Sequence, residues 1–352
     1  MAGALVLITG TSGHMGFRAL VNALELQYTV RAAVRSQAKA DAILAAPSVK
    51  KLAPGSKLQF VFVTDILADG AYDEAVKDVR YIVHIASPLA KETEDYERDV
   101  IQPAVKGTTN ILYSALKAPS VERIIITSSI IAVIPWKNFM MEETSQVFTA
   151  DNRISDVHPP FQHYFQAYGA SKANSLNATD KFIKTEKPSF EVPNVMPGFF
   201  IGKNELITDA NDILSGTNRA AFAPVLGNRS DIANPGSMNH VDDVAKVHIL
   251  ALNPNIKGGQ NFGVQSGGVG GNKWADSTEI VKKRFPEAVK DGRLPADGTQ
   301  PTRTVLYDTS ETEKVLGIIF RSYEEQVVSV TEHYLELLEK AGRQSDIRVN
   351  GH

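Results

Sequence analysis

An apolar run, Leu5–Thr9, leads directly into Gly10-Thr11-Ser12-Gly13-His14-Met15-Gly16, and an amphipathic stretch, Gly16–Leu26, follows. No other feature restricts the chain more. A strand, a glycine turn and a helix in that order make the opening unit of a parallel α/β sheet. Each glycine has a separate job. Gly10 permits the tight turn out of the strand. Gly13 leaves the backbone open to a pyrophosphate, and Gly16 lets the helix pack close to the strand. The first N–H groups of the helix have no intrahelical partner, so they face the anion. No Lys-Ser or Lys-Thr follows the last glycine, which argues against a nucleoside-triphosphate loop. Gly10–Gly16 is therefore read as a dinucleotide-binding turn.

Further apolar runs occur at Tyr28–Val34, Leu58–Thr64, Tyr81–Ala86, Arg123–Ser128 and Phe190–Met196. They are nearly continuous in apolar residues, the texture of strands covered on both faces. Helical stretches such as Asp95–Lys117 and Ala167–Lys184 separate them. Strand–helix alternation implies parallel pairing through right-handed crossovers. The expected fold is α/β, a Rossmann-type doubly wound parallel sheet with a smaller C-terminal substrate-binding lobe. Residues 1–198 read mainly as the dinucleotide-binding part. Gly, Pro and Asn become frequent from Gly198 to Gly236, and 199–341 read mainly as the lobe. Within it, Val241–Leu252 and Gln260–Val264 read as a helix and a strand returning to the main sheet. A Gly-rich loop, Gly267–Gly271, and helices near Ser277–Phe285 and Tyr323–Lys340 complete it. The remainder, 342–352, reads as a polar, frayed tail.

Composition narrows the function classes. The chain carries 37 Lys and Arg against 40 Asp and Glu, a formal net charge of -3. Nothing in that balance favours a nucleic acid or a membrane surface as partner. Cysteine is absent, which removes thiolate nucleophiles and Cys-based metal sites, and no metal is expected. The run Ala4–Ile8 is far shorter than the about 20 residues of a membrane span, and it lacks a signal peptide's basic start. A cytoplasmic location is the default expectation.

The second strand ends at Arg35-Ser36, with Lys39 four residues on. An NAD site usually places Asp or Glu near this point to hold the ribose 2'-hydroxyl. A guanidinium instead suits a 2'-phosphate, so the expected cofactor is NADP(H). Farther along, Tyr168-Gly169-Ala170-Ser171-Lys172 sets a Tyr and a Lys four apart, on one face of a helix. An ammonium near a phenol favours the phenolate. Such a Tyr can give a proton to a carbonyl oxygen as hydride reaches its carbon. The same spacing occurs at Tyr113-Ser114-Ala115-Leu116-Lys117. Order separates the two, because only Tyr168 follows the strand that ends in Thr127-Ser128-Ser129. Tyr113 is expected to belong to a helix flanking the sheet.

Together these residues resemble the extended short-chain dehydrogenase/reductases over roughly Leu5 to Leu337. Three more strings carry the resemblance: His84-Ile85-Ala86-Ser87-Pro88, Pro103-Ala104-Val105-Lys106-Gly107-Thr108 and His240-Val241-Asp242-Asp243-Val244-Ala245. The look is that of fungal NADPH-dependent aldehyde and ketone reductases and of plant dihydroflavonol reductases. That resemblance implies a Ser–Tyr–Lys site of Ser129, Tyr168 and Lys172, with Ser129 rather than Ser128 meeting the substrate carbonyl. Lys172 would also bind the nicotinamide ribose. Ala86, Ser87 and Pro88 would pass beside the cofactor, Asp65 and Ile66 would hold the adenine, and Pro197 and Gly198 would lie beside the carboxamide. A helix cap at Asp65 and a plain turn at Pro197-Gly198 are the competing readings. His14 departs from the family's usual aromatic or apolar residue, and Asn174 and Asn177 from its small or acidic ones. His158, His163 and Tyr164 are read as bordering a substrate cleft or as surface loop.

The expected reaction is reduction of a small-molecule aldehyde or ketone to an alcohol. A sugar-nucleotide epimerase or dehydratase and a non-catalytic redox sensor share the fold and remain the alternatives. The sequence leaves monomer and homodimer both open, and it does not name the substrate.

Overall fold

The structure, a computed structural model, describes residues 3–88 and 92–349, with 343–349 described as backbone. The first half runs β1 (Leu5–Thr9), α1 (His14–Glu25), β2 (Thr29–Val34), α2 (Gln37–Ala45), α3 (Pro47–Leu52), β3 (Leu58–Phe62), β4 (Tyr81–His84), α4 (Gln102–Leu116), β5 (Arg123–Thr127), α5 (Tyr164–Glu186) and β6 (Asn194–Pro197). The second half runs β7 (Phe199–Ile201), α6 (Asn218–Phe222), β8 (Asn234–Pro235), β9 (Met238–His240), α7 (Val241–Leu250), β10 (Phe262–Val264), α8 (Asp276–Arg284), α9 (Pro286–Lys290), β11 (Thr302–Arg303), α10 (Ser310–Leu316) and α11 (Tyr323–Val349).

Seven parallel strands form the main sheet in the order β10-β6-β5-β4-β1-β2-β3. This is the Rossmann-type doubly wound sheet that the strand–helix alternation predicts. Alternation along β1 shows how both faces are covered. Val6 and Ile8 join a core with Phe17, Leu20 and Leu24 of α1 and Val244 and Val247 of α7. Leu7 points the other way, into a core with Ile111 and Leu112 of α4 and Phe182 of α5. Side chains that alternate between two buried faces explain why the strand is apolar throughout. The order of the strands reverses at β1, which opens a crevice at the carboxyl ends of β1 and β4.

The expected Phe190–Met196 strand is shorter, Asn194–Pro197. Pro193 has no N–H to donate, so it only accepts, from Ile126 N at 3.0 Å. The returns to the main sheet are present: β10 pairs with β6, and α7 packs on α1. Arg18 of α1 ties the two helices by an ion pair to Asp242 at 2.6 Å.

The rest of the second half has its own apolar cluster, built around the fully buried Trp274 with Phe222, Val225, Leu294 and Val327. Two small parallel pairs, β7 with β9 and β8 with β11, brace it. The helix expected to stop near Lys340 continues through the stretch read as tail as far as Val349, and 350–352 lie outside the described residues. No helix among the described residues is long and apolar enough to cross a membrane.

Candidate active site

The glycine turn is built by close approach. Gly10 has φ +74°, and a Cβ there would lie 2.9 Å from Ala86 N. At Gly16 a Cβ would lie 2.1 Å from the Gly10 carbonyl oxygen, so only hydrogen fits between helix and turn. Gly13 is different: the nearest atom to an added Cβ is the Gly10 oxygen at 3.3 Å. Its surroundings leave the backbone accessible. Thr11 is fully buried and donates to Ala33 O at 3.3 Å, which fastens the turn to β2.

The end of β4 is fixed by one hydroxyl. Thr9 Oγ1 accepts from Ile85 N and Ala86 N, both at 3.0 Å. Both lone pairs are used, so its proton goes to His84 Nδ1, 3.0 Å away. His84 must then carry its own proton on Nε2 and donates it to Gly107 O of α4 at 3.2 Å. Burial holds this imidazole neutral by lowering its pKa to about 4. The chain from β1 through β4 to α4 thereby sets the segment Ile85–Pro88.

These pieces enclose a cavity of about 500 Å³. Gly10, Ser12, Gly13, His14, Met15 and Gly16 line it, as do Arg35, Lys39 and Ile66. Ala86, Ser87 and Pro88 line it too, and so do Tyr168 and Lys172 of α5. Residues more than 150 positions apart are therefore brought to one crevice. Five named residues lie outside its lining. Thr11 sits beneath the turn. Asp65 is exposed, and its carboxylate accepts from Leu67 N at 2.8 Å within a turn; no helix starts there, so the helix cap of the competing reading is absent too. Pro197 pairs with Val264 at the end of β6. Gly198 backs onto Ser237, whose carbonyl oxygen would be 2.1 Å from an added Cβ. Ser129 is the fifth, and it stands beside Tyr168. Thr9, Thr127, Tyr72 and Phe200 also line the cavity and were not named from sequence. Thr127 sat in a quoted string; Tyr72 and Phe200 come from tertiary packing alone.

Tyr168 and Lys172 share one face of α5, with the ammonium 5.7 Å from the ring centroid. Of the two serines, Ser129 lies within hydrogen-bonding reach of the Tyr168 phenol and favours its ionised form. Ser128 is buried, its amide bound to Val195 O at 2.8 Å. Burial outweighs the Ser129 contact and raises the phenol above its ordinary value. Burial also lowers Lys172 to about 8. This corrects the expectation that the lysine alone would depress the phenol: in the open cleft desolvation disfavours both charged forms. Tyr168 is thus a protonated acid at neutral pH. Arg35 and Lys39 are exposed at the cavity, and neither side chain has a hydrogen-bond or ion-pair partner among the described residues.

The remaining readings resolve locally. Tyr113 is half exposed on α4, packed on Phe182, and Lys117 is bound to Asp73 at 2.8 Å, away from the cavity. His14 donates from Nε2 to Lys203 O at 3.1 Å and meets Phe200 edge-on, with burial lowering its pKa to about 4. Asn174 binds both N and O of Val157, at 2.9 and 3.0 Å, and Asn177 binds Ile154 O at 3.0 Å. The two asparagines thus clamp the loop that precedes α5. His163 caps that helix and packs on Trp136. Among the described residues no cluster of His, Asp and Glu could hold a metal ion.

Comparison with known proteins bears on the family and the fold. Residues 7–178 match the 3-beta hydroxysteroid dehydrogenase/isomerase family. Ketoreductase CTB6 of Cercospora beticola is 37% identical over 97% of this chain and 97% of its own. The NAD-dependent epimerase/dehydratase ALT6 of Alternaria alternata is 35% identical over 92% of this chain and 96% of its own. In fold, Gre2 of Candida albicans in complex with NADPH matches with a TM-score of 0.79 at 23% identity, covering 95% of this chain and 99% of that one. Vestitone reductase of alfalfa matches with a TM-score of 0.70 at 21% identity, covering 94% and 98%. The chain belongs to the extended short-chain dehydrogenase/reductase family, a family of nicotinamide-dinucleotide oxidoreductases.

The two glycine contacts give a paired expectation. Gly16→Ala should destabilise the protein itself by about 1–3 kcal/mol, the usual cost of overpacking. Gly13→Ala should lower the urea midpoint less than Gly16→Ala does while weakening dinucleotide binding at least about tenfold, because its methyl would stand where the pyrophosphate approaches. Urea unfolding and a fluorescence titration with NADPH read the two effects; equal effects in both assays would contradict the division of labour.

Proposed function

We propose that this chain reduces an aldehyde or ketone to an alcohol with NADPH, using Ser129, Tyr168 and Lys172. The observation that carries the reading is a phenol kept protonated beside a buried ammonium, in the same cavity as the glycine turn. The residues present fit the dinucleotide. Gly10 and Gly16 leave no space for a side chain where the turn closes, Gly13 leaves the turn's backbone open, and two unpartnered cations, Arg35 and Lys39, suit a 2'-phosphate. When bound, NADPH supplies the hydride.

The chain's own residues then have distinct tasks. Tyr168 donates its O–H proton to the carbonyl oxygen, which acquires charge as the carbon is reduced. Ser129 holds that oxygen by donating its one hydroxyl proton to it. Lys172 balances the phenolate and binds the ribose hydroxyls. Ala86, Ser87 and Pro88 would flank the cofactor and Ile66 would lie against the adenine, whereas Asp65, Pro197 and Gly198, outside the cavity lining, are left without a direct role. Thr9 and His84 act through position only, by holding Ile85 and Ala86.

Relatives named ketoreductase support the reaction class, and the NADPH held by a protein of the same fold supports the cofactor. Relatives named epimerase/dehydratase keep a second reading in play. An epimerase retains its dinucleotide and shows no net redox change. Mixing the protein with NADPH and a panel of aromatic aldehydes and β-ketoesters, while following absorbance of the reduced cofactor, separates them. Steady consumption supports the reductase.

Two substitutions test the assignments. Tyr168→Phe keeps the ring and removes the proton donor, so turnover should fall by about 100- to 10,000-fold while NADPH binding stays close to wild type. Tyr113→Phe should be close to neutral, and wild-type turnover in Tyr168→Phe would end the mechanism. Arg35→Ala should weaken NADPH much more than NADH, by on the order of 1.5–3 kcal/mol at most for an exposed charge-assisted contact. Equal loss for both cofactors would show that Arg35 is not the selector.

A further inference from the structure

A second cavity, of about 610 Å³, lies next to the first. Two contacts establish that they are neighbours. Phe199 and Phe200 are successive residues of β7, so their side chains point to opposite faces. Phe199 lines the second cavity and Phe200 the first. Phe165 lines the second and stacks on Tyr168, with centroids 6.1 Å apart and planes 8° apart. The proton donor therefore sits at the partition between them.

The second cavity has two kinds of surface. Tyr164, Phe165, Phe199, Ala223, Pro224 and Ile232 give it an apolar and aromatic side. Ile232 is 71% exposed and adds to the apolar side of the cavity. The charged side consists of Arg219 and Arg229, and the described lining contains no carboxylate and no lysine. The two guanidiniums are not equivalent. Arg229 faces Asp297 at 3.7 Å. Arg219, on α6, has no side-chain partner among the described residues. An unpaired guanidinium beside an aromatic wall recognises a carboxylate on an apolar body, through charge-assisted and bidentate contact.

We infer that the substrate is a carbonyl compound with an aromatic or apolar body bearing a carboxylate, and that Arg219 selects it. The inference rests on the reductase reading and adds to it the chemistry of the substrate. The carboxylate takes no part in the reduction; it fixes which end of the molecule enters first.

The test compares each acid with its own neutral ester. The pairs are 4-formylbenzoate with its methyl ester and 4-oxo-4-phenylbutanoate with its methyl ester, each with saturating NADPH. In the wild type kcat/KM should favour the acid, mainly through KM. In Arg219→Leu the acid-over-ester ratio should fall about tenfold, the scale of one charge-assisted contact discounted for exposure. Arg219→Lys should restore part of it, and the wild-type ratio should decline as salt is raised. A merely structural role for Arg219 would lower both members of a pair and leave the ratio unchanged, which would overturn the inference, as would a wild-type ratio near one. Failure to reduce any of the four compounds would overturn the reductase reading itself, and this inference with it.

Discussion

The site depends on how β1 and β4 end beside one another. The strand order reverses at β1, so helices leave the sheet on opposite faces and a crevice must open between them. One hydroxyl, that of Thr9, holds the crevice in shape by accepting two amides and giving its proton to His84. Because each of its bonds excludes an alternative for the others, the tautomer of His84 and the course of Ile85–Pro88 are fixed together. The glycine turn then leans on Ala86 at a distance that only Gly10 allows. Cofactor cleft, turn and β4 loop are one mechanical unit.

Burial decides the electrostatics of this unit. A phenol and an ammonium placed together in water would each be largely ordinary. In the cleft both are pushed toward neutrality, the phenol upward and the ammonium down to about 8. The consequence is a phenol that keeps its proton at neutral pH beside a lysine that is still mostly charged there, the two properties the proposed reduction calls for. The same logic applies next door, where the unpaired Arg219 stands at the edge of an aromatic wall.

Much of the dinucleotide half was legible because its signals are local. Continuous apolar runs gave six strands of the main sheet, and their alternation with helices gave the parallel pairing, though not the order of the strands. The glycine turn was legible because its spacing reflects contacts within a few residues, Gly16 against Gly10 above all. Order along the chain was enough to distinguish Tyr168 from Tyr113. Elsewhere the signal is not local. Tyr72 and Phe200 reach the cavity only through tertiary packing. The two-residue strands β8 and β11 are too short to carry a period. The direction of the Tyr168 shift was missed because sequence shows the neighbouring charge and hides the desolvation.

The central claim is that Tyr168 and Lys172 titrate as a pair that delivers the proton. Rate against pH, in both directions at saturating NADP(H), tests it for the wild type and for Lys172→Met. In the wild type, reduction should hold steady at neutral pH and fall only as pH rises through the buried phenol's raised range, while alcohol oxidation rises over the same range. With the cation removed, no positive charge is left beside the phenolate, so both limbs should move to still higher pH and oxidation near neutrality should collapse. Superimposable profiles for the two proteins would contradict the account.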